Sequence, residues 1–340
     1  MSCIDSNDSD DDVARNGRIY DALLGDVIIW KQHEFHTWWN AFENQIDHPL
    51  SRTFVNAFVD ALELKGLLNT KRGLFGQRKF DKELQLLSTK LGWGFVHLER
   101  RCVTQSAHSL LSVALAQYAL ETHGQSRYKV RWVEPRPQAV ELDLELSSNL
   151  PSPNSHDLPP WCRIEQDFQR FASSPTLDIV NGYELRLDGE RVVLIPIQAI
   201  ERFLVACKPY ASASSLNWFE SNVVMKAPDQ QLLETIIHSV ASMFLQSDKP
   251  VYIIDESSWQ SYIDHYLHER GWGSIDVTEY DGSTFELNAT LRKGSHSPFT
   301  LGILCGMWER AHGRSYRISL DENCDIFLVK IQSFLQYQTA

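Results

Sequence analysis

The sequence has no long apolar run, no excess of positive charge and no recognisable leader. No stretch approaches the roughly 20 apolar residues of a membrane-spanning helix. The N-terminus, MSCIDSNDSDDD, is acidic where a secretory signal would be basic and then apolar. A net charge of −12 disfavours nucleic acid and anionic lipid as partners, because an acidic surface repels phosphate. We therefore expect a cytoplasmic protein without a membrane span.

Closely spaced cysteines and the common catalytic motifs are also missing. The six cysteines are scattered, which suggests neither a zinc knuckle nor a disulfide framework. No P-loop, no strand-linked GxGxxG and no GxSxG elbow occurs. The pairs His33/His36 and His265/His268 could each share a helical face, but no HExxH motif or nearby cysteine completes a metal site. The sequence therefore predicts no catalytic residue, cofactor or metal.

The sequence contains one short motif at two positions. Gly-Trp-Gly occurs at 92–94 and at 271–273, each time after a helix-like segment and before a strand-like one. A repeat of about a domain's length predicts a duplicated fold. The first glycine of each motif stands where the end of a helix favours a left-handed residue. Trp93 and Trp272 are thus expected to pack just beyond a helix end.

Around the motif, both copies predict the same order of elements in an α+β fold. Each copy opens with a β-hairpin, continues through helices to Gly-Trp-Gly, and closes with a strand pair, a helix and a second strand pair. The segments WNAFE (39–43) and LNWFE (216–220) are matched as helix-rich pieces. From the motif to the end of the next helix, the first copy has 30 residues (94 to 124) and the second has 40 (273 to 313). This difference predicts that the first copy is degenerate and has lost a strand.

Composition divides the 340 residues into four parts. Residues 1–14 are polar and rich in aspartate, and we expect a disordered tail. The first α+β repeat covers 15–146, and the second covers 178–340. Between them, 147–177 includes the proline-, serine- and asparagine-rich run SSNLPSPNSHDLPPW, which predicts an extended, solvated linker.

This order of elements resembles the small-molecule-binding domain named after 4-vinyl reductase. The likeness is strongest in the second copy, in DGERVVLIPIQAIERFL, RGWGSIDVTEYDG, SPFTLGILCGMWERAHGRSYRI and LDENC. The family usually has further cysteines after the last run, whereas this sequence has only Cys324, within the run itself. The segments FENQID, LGWGFVHLE and GILCGMWERAHG also resemble the D-type subunit of bacterial cellulose synthase, a family of non-catalytic assembly components.

The resembled fold implies a pocket in the second copy. The chain has ten tryptophans, and large aromatic side chains both fill cores and line apolar pockets or interfaces. Gly302 and Gly306, four residues apart on one helix, leave room for a ligand or, alternatively, for close helix packing. The side chains expected to bind a ligand are Trp272, His296, Cys305, Met307 and Trp308.

These features predict a non-enzymatic protein that binds a small hydrophobic ligand in its second copy and acts through a protein partner. The first copy would be a structural or dimerising half. Two alternatives stay open. The cellulose-synthase resemblance implies an oligomeric assembly or scaffold subunit without a small ligand. The name of the reductase family implies an accessory protein of tetrapyrrole metabolism.

Overall fold

The computed structural model describes residues 17–69, 76–147, 153–155, 157–162, 175–212 and 217–334. The tail expected at 1–14 and much of the expected linker lie outside these ranges. The first half contains β1 (Ile19–Asp21), β2 (Gly25–Lys31), α1 (Gln32–Ile46), α2 (Ser51–Lys65), α3 (Gly76–Leu91), β3 (Phe95–His97), β4 (Cys102–Thr104), α4 (Ser109–Gly124), β5 (Tyr128–Arg136) and β6 (Ala139–Leu146).

The second half repeats this order with two additional strands, β7 and β10. Its elements are β7 (Asp178–Val180), β8 (Glu184–Leu187), β9 (Glu190–Pro196), α5 (Ile197–Cys207), β10 (Phe219–Ser221), α6 (Ala227–Leu245), α7 (Glu256–Tyr266), β11 (Ile275–Asp281), β12 (Glu286–Arg292), α8 (Ser297–His312), β13 (Tyr316–Asn323) and β14 (Ile326–Ser333). The α+β class is confirmed.

The strands form three sheets, and two of these sheets have corresponding orders. The sheet of the first half runs β3-β4-β6-β5, and that of the second half runs β11-β12-β14-β13 with β10 added in parallel beside β13. The third sheet, β1-β2-β9-β8-β7, is built from the opening hairpins of both halves. Its two hairpins are joined by antiparallel pairing of β2 with β9. The halves therefore share a sheet.

Each Gly-Trp-Gly motif packs against the hairpin of the other half. A Cβ atom at Gly92 would lie 3.1 Å from the carbonyl oxygen of Val192, and one at Gly271 would lie 2.5 Å from that of Val27. The indole Nε1 of Trp93 donates to the carbonyl of Leu194 at 2.9 Å. The motif glycines are thus needed where two backbones approach closely.

Both Gly-Trp-Gly motifs end a helical segment in the predicted way. Gly92 and Gly271 have φ of 70° and 79°, in the left-handed region. Trp93 and Trp272 are buried directly after them. The prediction of a helix end followed by a packed tryptophan is confirmed in both halves.

Helix packing also crosses between the halves. α1 packs on α6 and α2 on α5, while within the halves α2 packs on α4 and α6 on α8. At the last contact, a Cβ atom at Gly302 would lie 2.6 Å from Cβ of Val240, and one at Gly306 would lie 2.7 Å from Cβ of Phe244. These two glycines therefore serve close packing of α8 on α6.

Three expectations from the sequence are wrong. The first half keeps both strands after its motif, and the shorter interval arises because β3 and β4 have three residues each where β11 and β12 have seven. The segments 39–43 and 216–220 are not equivalent, because the first lies in α1 whereas Trp218 precedes the edge strand β10. Within the expected solvated linker, Trp161 is fully buried and belongs to the hydrophobic core.

That core is one contiguous cluster with residues from both halves. Among the described residues, the helices are all too short or too polar to cross a bilayer.

Candidate functional site

A cavity of about 380 Å³ lies where the two halves meet. Its walls come from β1, β2 and α2 of the first half, and from α5 and the turn before α8 of the second. The apolar part of the lining includes Ile19, Val27, Ile28, Ala61, Leu64 and Ile197. The polar part includes Arg18, Asp26, Gln198, Glu201, Arg202 and Ser295. Pockets for small molecules commonly measure roughly 300–1,000 Å³, so the size is sufficient for a ligand.

The charged side chains of the polar wall are matched with each other or with neighbours. Arg18 forms an ion pair with Asp26, and the Ser295 hydroxyl donates to the Glu201 carboxylate. The Nε atom of Arg202 lies 3.2 Å from a carboxylate oxygen of Asp60. Two arginines and two carboxylates in the lining therefore balance, and the wall presents polar groups without a net charge.

His296 completes this wall at the N-cap position of α8. Two glycines make space for its ring: a Cβ atom at Gly273 would lie 2.2 Å from Nε2, and one at Gly294 would lie 2.6 Å from Cε1. Burial lowers the pKa of His296 to about 3, and the nearby charge of Arg18 acts in the same direction. A neutral imidazole has one nitrogen that donates and one that accepts. His296 can therefore bind a neutral polar group.

Of the five predicted ligand-binding residues, His296 lines this cavity and the other four are packed in the core. The ring of Trp272 lies 4.8 Å from Trp30 and 5.2 Å from Phe299, between centroids. Cys305, Met307 and Trp308 are fully buried on α8, with the indole of Trp308 donating to the carbonyl of Phe285 at 2.8 Å. Ligand contact by any of the five stays a prediction.

A repeated histidine was missed by the sequence analysis. The chain reads HSLLS at 108–112 and HSPFT at 296–300, and both histidines occupy the N-cap position of the helix that follows. In each half, the hydroxyl group four residues after the histidine donates a hydrogen bond to the Gly-Trp-Gly motif of that half. Ser112 donates to the carbonyl of Trp93, and Thr300 donates to that of Trp272. A search for His-Ser-x-x-Ser/Thr finds these two segments and also HSVAS at 238–242, which lies inside α6, so only the position at a helix start distinguishes the pair.

The matching position of the first half is closely packed. The ring centroid of His108 lies 4.8 Å from that of Phe35 and 4.4 Å from that of His36. Gln32 donates to the carbonyl of Ala107 at 2.6 Å. Burial lowers the pKa of His108 to about 3, so this imidazole is neutral as well. His36 is the fifth residue of α1, and Glu201 is the fifth residue of α5, so the two residues occupy equivalent positions in the two halves. In the first half His36 packs against His108, whereas in the second half Glu201 and His296 both line the cavity.

The paired histidines contact separate neighbours. His36 packs on His108, and His33 lies 4.0 Å from Glu190. His265 lies 3.2 Å from Glu269, and His268 lies 2.8 Å from Asp264. Within the described ranges, no group of three or more His, Cys, Asp or Glu side chains could hold a metal ion.

Comparison with known proteins gives no match among family models, curated proteins or solved structures. The resemblance to the 4-vinyl-reductase-type domain, and the one to the cellulose synthase component, thus stay hypotheses. Function is therefore inferred from the cavity.

Proposed function

We propose that this protein is a non-enzymatic binder of a small amphipathic molecule, built from two copies of one fold. The observation that carries the proposal is the cavity beside His296, which has an apolar side and a charge-balanced polar side. Both halves contribute to its walls. A ligand with an apolar body and a polar group would satisfy both sides, as most ligand pockets require.

The duplication is supported by the matching order of elements and by the reciprocal packing of the two motifs. The strand orders β3-β4-β6-β5 and β11-β12-β14-β13 correspond position by position. Gly92 approaches β9, and Gly271 approaches β2. Such reciprocity is the pattern of a symmetric homodimer, so we infer that the chain arose by fusion of two copies that already exchanged their hairpins.

Binding suits this cavity better than catalysis. Nucleophilic catalysis by cysteine needs a thiolate. Burial raises the pKa of Cys162, the thiol beside Ser295, to about 12, and this group stays protonated near neutral pH. The neutral His296 and the paired carboxylate of Glu201 offer hydrogen bonds that orient a ligand.

Native mass spectrometry of the purified full-length protein tests the proposal. The protein should carry extra mass that disappears on denaturation. Gln198→Trp places a large ring at an exposed position of the cavity lining, and we expect it to abolish the extra mass. Gln85→Trp is the matched control, because Gln85 is exposed on α3 away from the cavity. No retained mass in the wild type, or equal mass in all three proteins, would contradict the proposal.

The alternative of an assembly subunit predicts a contiguous exposed apolar patch. Among the described residues, the most exposed large hydrophobic side chains are Val224, Ile254 and Tyr252, at 92%, 88% and 75% exposure. They precede and follow α6, whose 19 residues span about 28 Å. These side chains lie in two segments far apart in sequence, one before α6 and one after it, and their exposure alone is not evidence for one contiguous patch.

A further inference from the structure

In the part of the chain that the structure describes, the outer edge of β5 has no strand beside it, whereas the corresponding edge of β13 is covered. In the second half, β10 pairs in parallel with β13, with Phe219 opposite Ile318 and Ser221 opposite Leu320. The N–H of Ile318 donates to the carbonyl of Trp218 at 2.8 Å. Among the described residues, β5 pairs with β6 alone. The sheet of the first half therefore ends in an unpaired edge strand.

The difference follows from the lengths of two connections. Residues 208–226 join α5 to α6 and include β10, whereas only residues 47–50 join α1 to α2. Four residues cannot supply a strand and its return. The connection within the first half therefore supplies no counterpart of β10.

A proline and a bulge protect only one end of β5. Pro135 and a register irregularity between Val133 and Arg136 lie at its C-terminal end. Charged side chains also hinder edge pairing, and Lys129 and Arg131 supply them, but Arg317 at the position of Lys129 does not stop β10 from pairing with β13. Proline and bulges are two further means of preventing edge pairing. The stretch 128–132 has neither, and it corresponds to 316–320 of β13, where β10 pairs. Val130 and Trp132 match Ile318 and Leu320, whose backbone groups bond to the segment that contains β10. We therefore expect the backbone N–H and C=O groups of Val130 and Trp132 to point away from β6, towards the open edge.

A small cavity lies beside the open stretch. It is lined by residues of α2, α4 and β5, namely Arg52, Val55, Asn56, Gln117, Tyr128, Lys129, Val130 and Trp132. Asn56 and Gln117 also line a neighbouring groove of about 560 Å³. In the second half, Trp218 occupies the matching place, with its ring 5.5 Å from Tyr316 and 5.4 Å from His238. The first half thus has an edge and an adjoining cavity where the second half has a strand and an aromatic ring.

The charges along β13 and β5 indicate which side chains a strand added beside β5 would carry. In the second half, Arg317 of β13 forms an ion pair with Glu220 of β10. Lys129 stands at the position of Arg317. Its ammonium group lies 4.0 Å from the carboxylate of Glu145 on β6, and its side chain is 59% exposed. An acidic residue in an added strand would meet this lysine.

We propose that the edge formed by residues 128–132, with its adjoining cavity, binds an extended aromatic-acidic segment of a partner protein. The segment adds a parallel fifth strand, as β10 does in the second half. Backbone hydrogen bonds supply affinity, and the cavity and Lys129 supply selectivity for the aromatic and the acidic side chain.

Fluorescence anisotropy with a labelled peptide copying residues 217–224, NWFESNVV, tests this proposal on the full-length protein. We expect saturable binding. Lys129→Glu should weaken it roughly fivefold, since one cross-strand charge pair is reversed, whereas Arg136→Glu, beyond Pro135, should leave it unchanged. Asn56→Trp, which fills the cavity, should also weaken binding, and Asn40→Trp on α1 is its matched control.

Three results would overturn the proposal. The first is peptide binding no tighter than that of a scrambled sequence, and the second is an equal effect of Lys129→Glu and Arg136→Glu. The third is a dimer in sedimentation that dissociates in Lys129→Glu, because the edge would then belong to a second copy. None of these results bears on the small-molecule cavity.

Discussion

Ile29 and Leu194 face each other at the centre of the strand pair that joins the two halves. Val27 pairs with Pro196 at one end, and Lys31 pairs with Val192 at the other. Val27 and Val192 are each the third residue of their strand. Exchanging the two strands therefore reproduces the same set of pairs, and the ladder has an approximate two-fold axis through its central pair.

We expect the halves to unfold together because they share this ladder and one hydrophobic core. Urea titration followed by tryptophan fluorescence and by far-ultraviolet circular dichroism should give one transition with the same midpoint. Two separate transitions would show that each half is stable alone and would contradict the shared core.

A buried ionic group also joins the halves. Glu34 of α1 is 2% exposed and contacts both Arg270 and Lys249 of the second half. Glu34→Gln leaves two buried cations without their carboxylate and should cost about 3–5 kcal/mol in the free energy of unfolding. Glu190→Gln is the control, because Glu190 is 44% exposed in its pair with Lys31 and should cost less than about 1 kcal/mol. Equal losses in urea denaturation would argue against a structural role for Glu34.

The Glu34 carboxylate should also make the free energy of unfolding depend on pH. Burial raises the pKa of Glu34, but the charges of Arg270 and Lys249 outweigh it and hold the pKa below its usual value. A lowered pKa contributes stability above the unfolded value of about 4.3, and this stability is lost as pH falls through the folded value. The stability gap between wild type and Glu34→Gln should therefore stay constant above about pH 5 and narrow as the pH falls from there through the lowered pKa of the folded state. A gap that stays constant throughout this fall in pH would contradict the assignment.

Helix packing at the glycines of α8 gives another prediction. Gly302→Ala places a methyl group 2.6 Å from Cβ of Val240 and 2.7 Å from the carbonyl of Ile237, and should destabilise by about 1–3 kcal/mol. Gly282→Ala is the matched control, because its nearest neighbour is a Tyr280 ring carbon at 3.8 Å. Thermal unfolding of the two variants should separate them clearly, and a neutral Gly302→Ala would show that α8 and α6 can move apart at little cost.

Much of the fold could be predicted because its signals are local. The left-handed glycines at 92 and 271 end helical segments, and Asp188–Gly189 turns the hairpin between β8 and β9. The lost strand was predicted wrongly because interval length does not distinguish a missing strand from two shortened ones. The segment 216–220 was predicted to be helix-rich because it matches 39–43, which lies in α1. A match of five residues does not determine secondary structure, because the packing around a segment also decides it.

The cavity could not be predicted because its walls depend on contacts distant in sequence. Arg18 and Asp26 reach His296 only through the packing of β1 and β2 beside the second Gly-Trp-Gly motif. His296 was among the predicted site residues, whereas Glu201 and Arg202 had no motif to mark them. His108 and His296 share a signal, since both precede Ser-x-x-Ser/Thr at the start of a helix, whereas His238 precedes the same pattern inside α6.

A crystal structure of the purified full-length protein, at a resolution that shows bound small molecules, tests the central claim most directly. We expect density in the cavity for a ligand whose polar group contacts the imidazole of His296 and whose apolar part lies against Ile28 and Leu64. A cavity that holds only ordered water, with the polar groups of Glu201 and His296 fully satisfied by it, would contradict the proposed binding function.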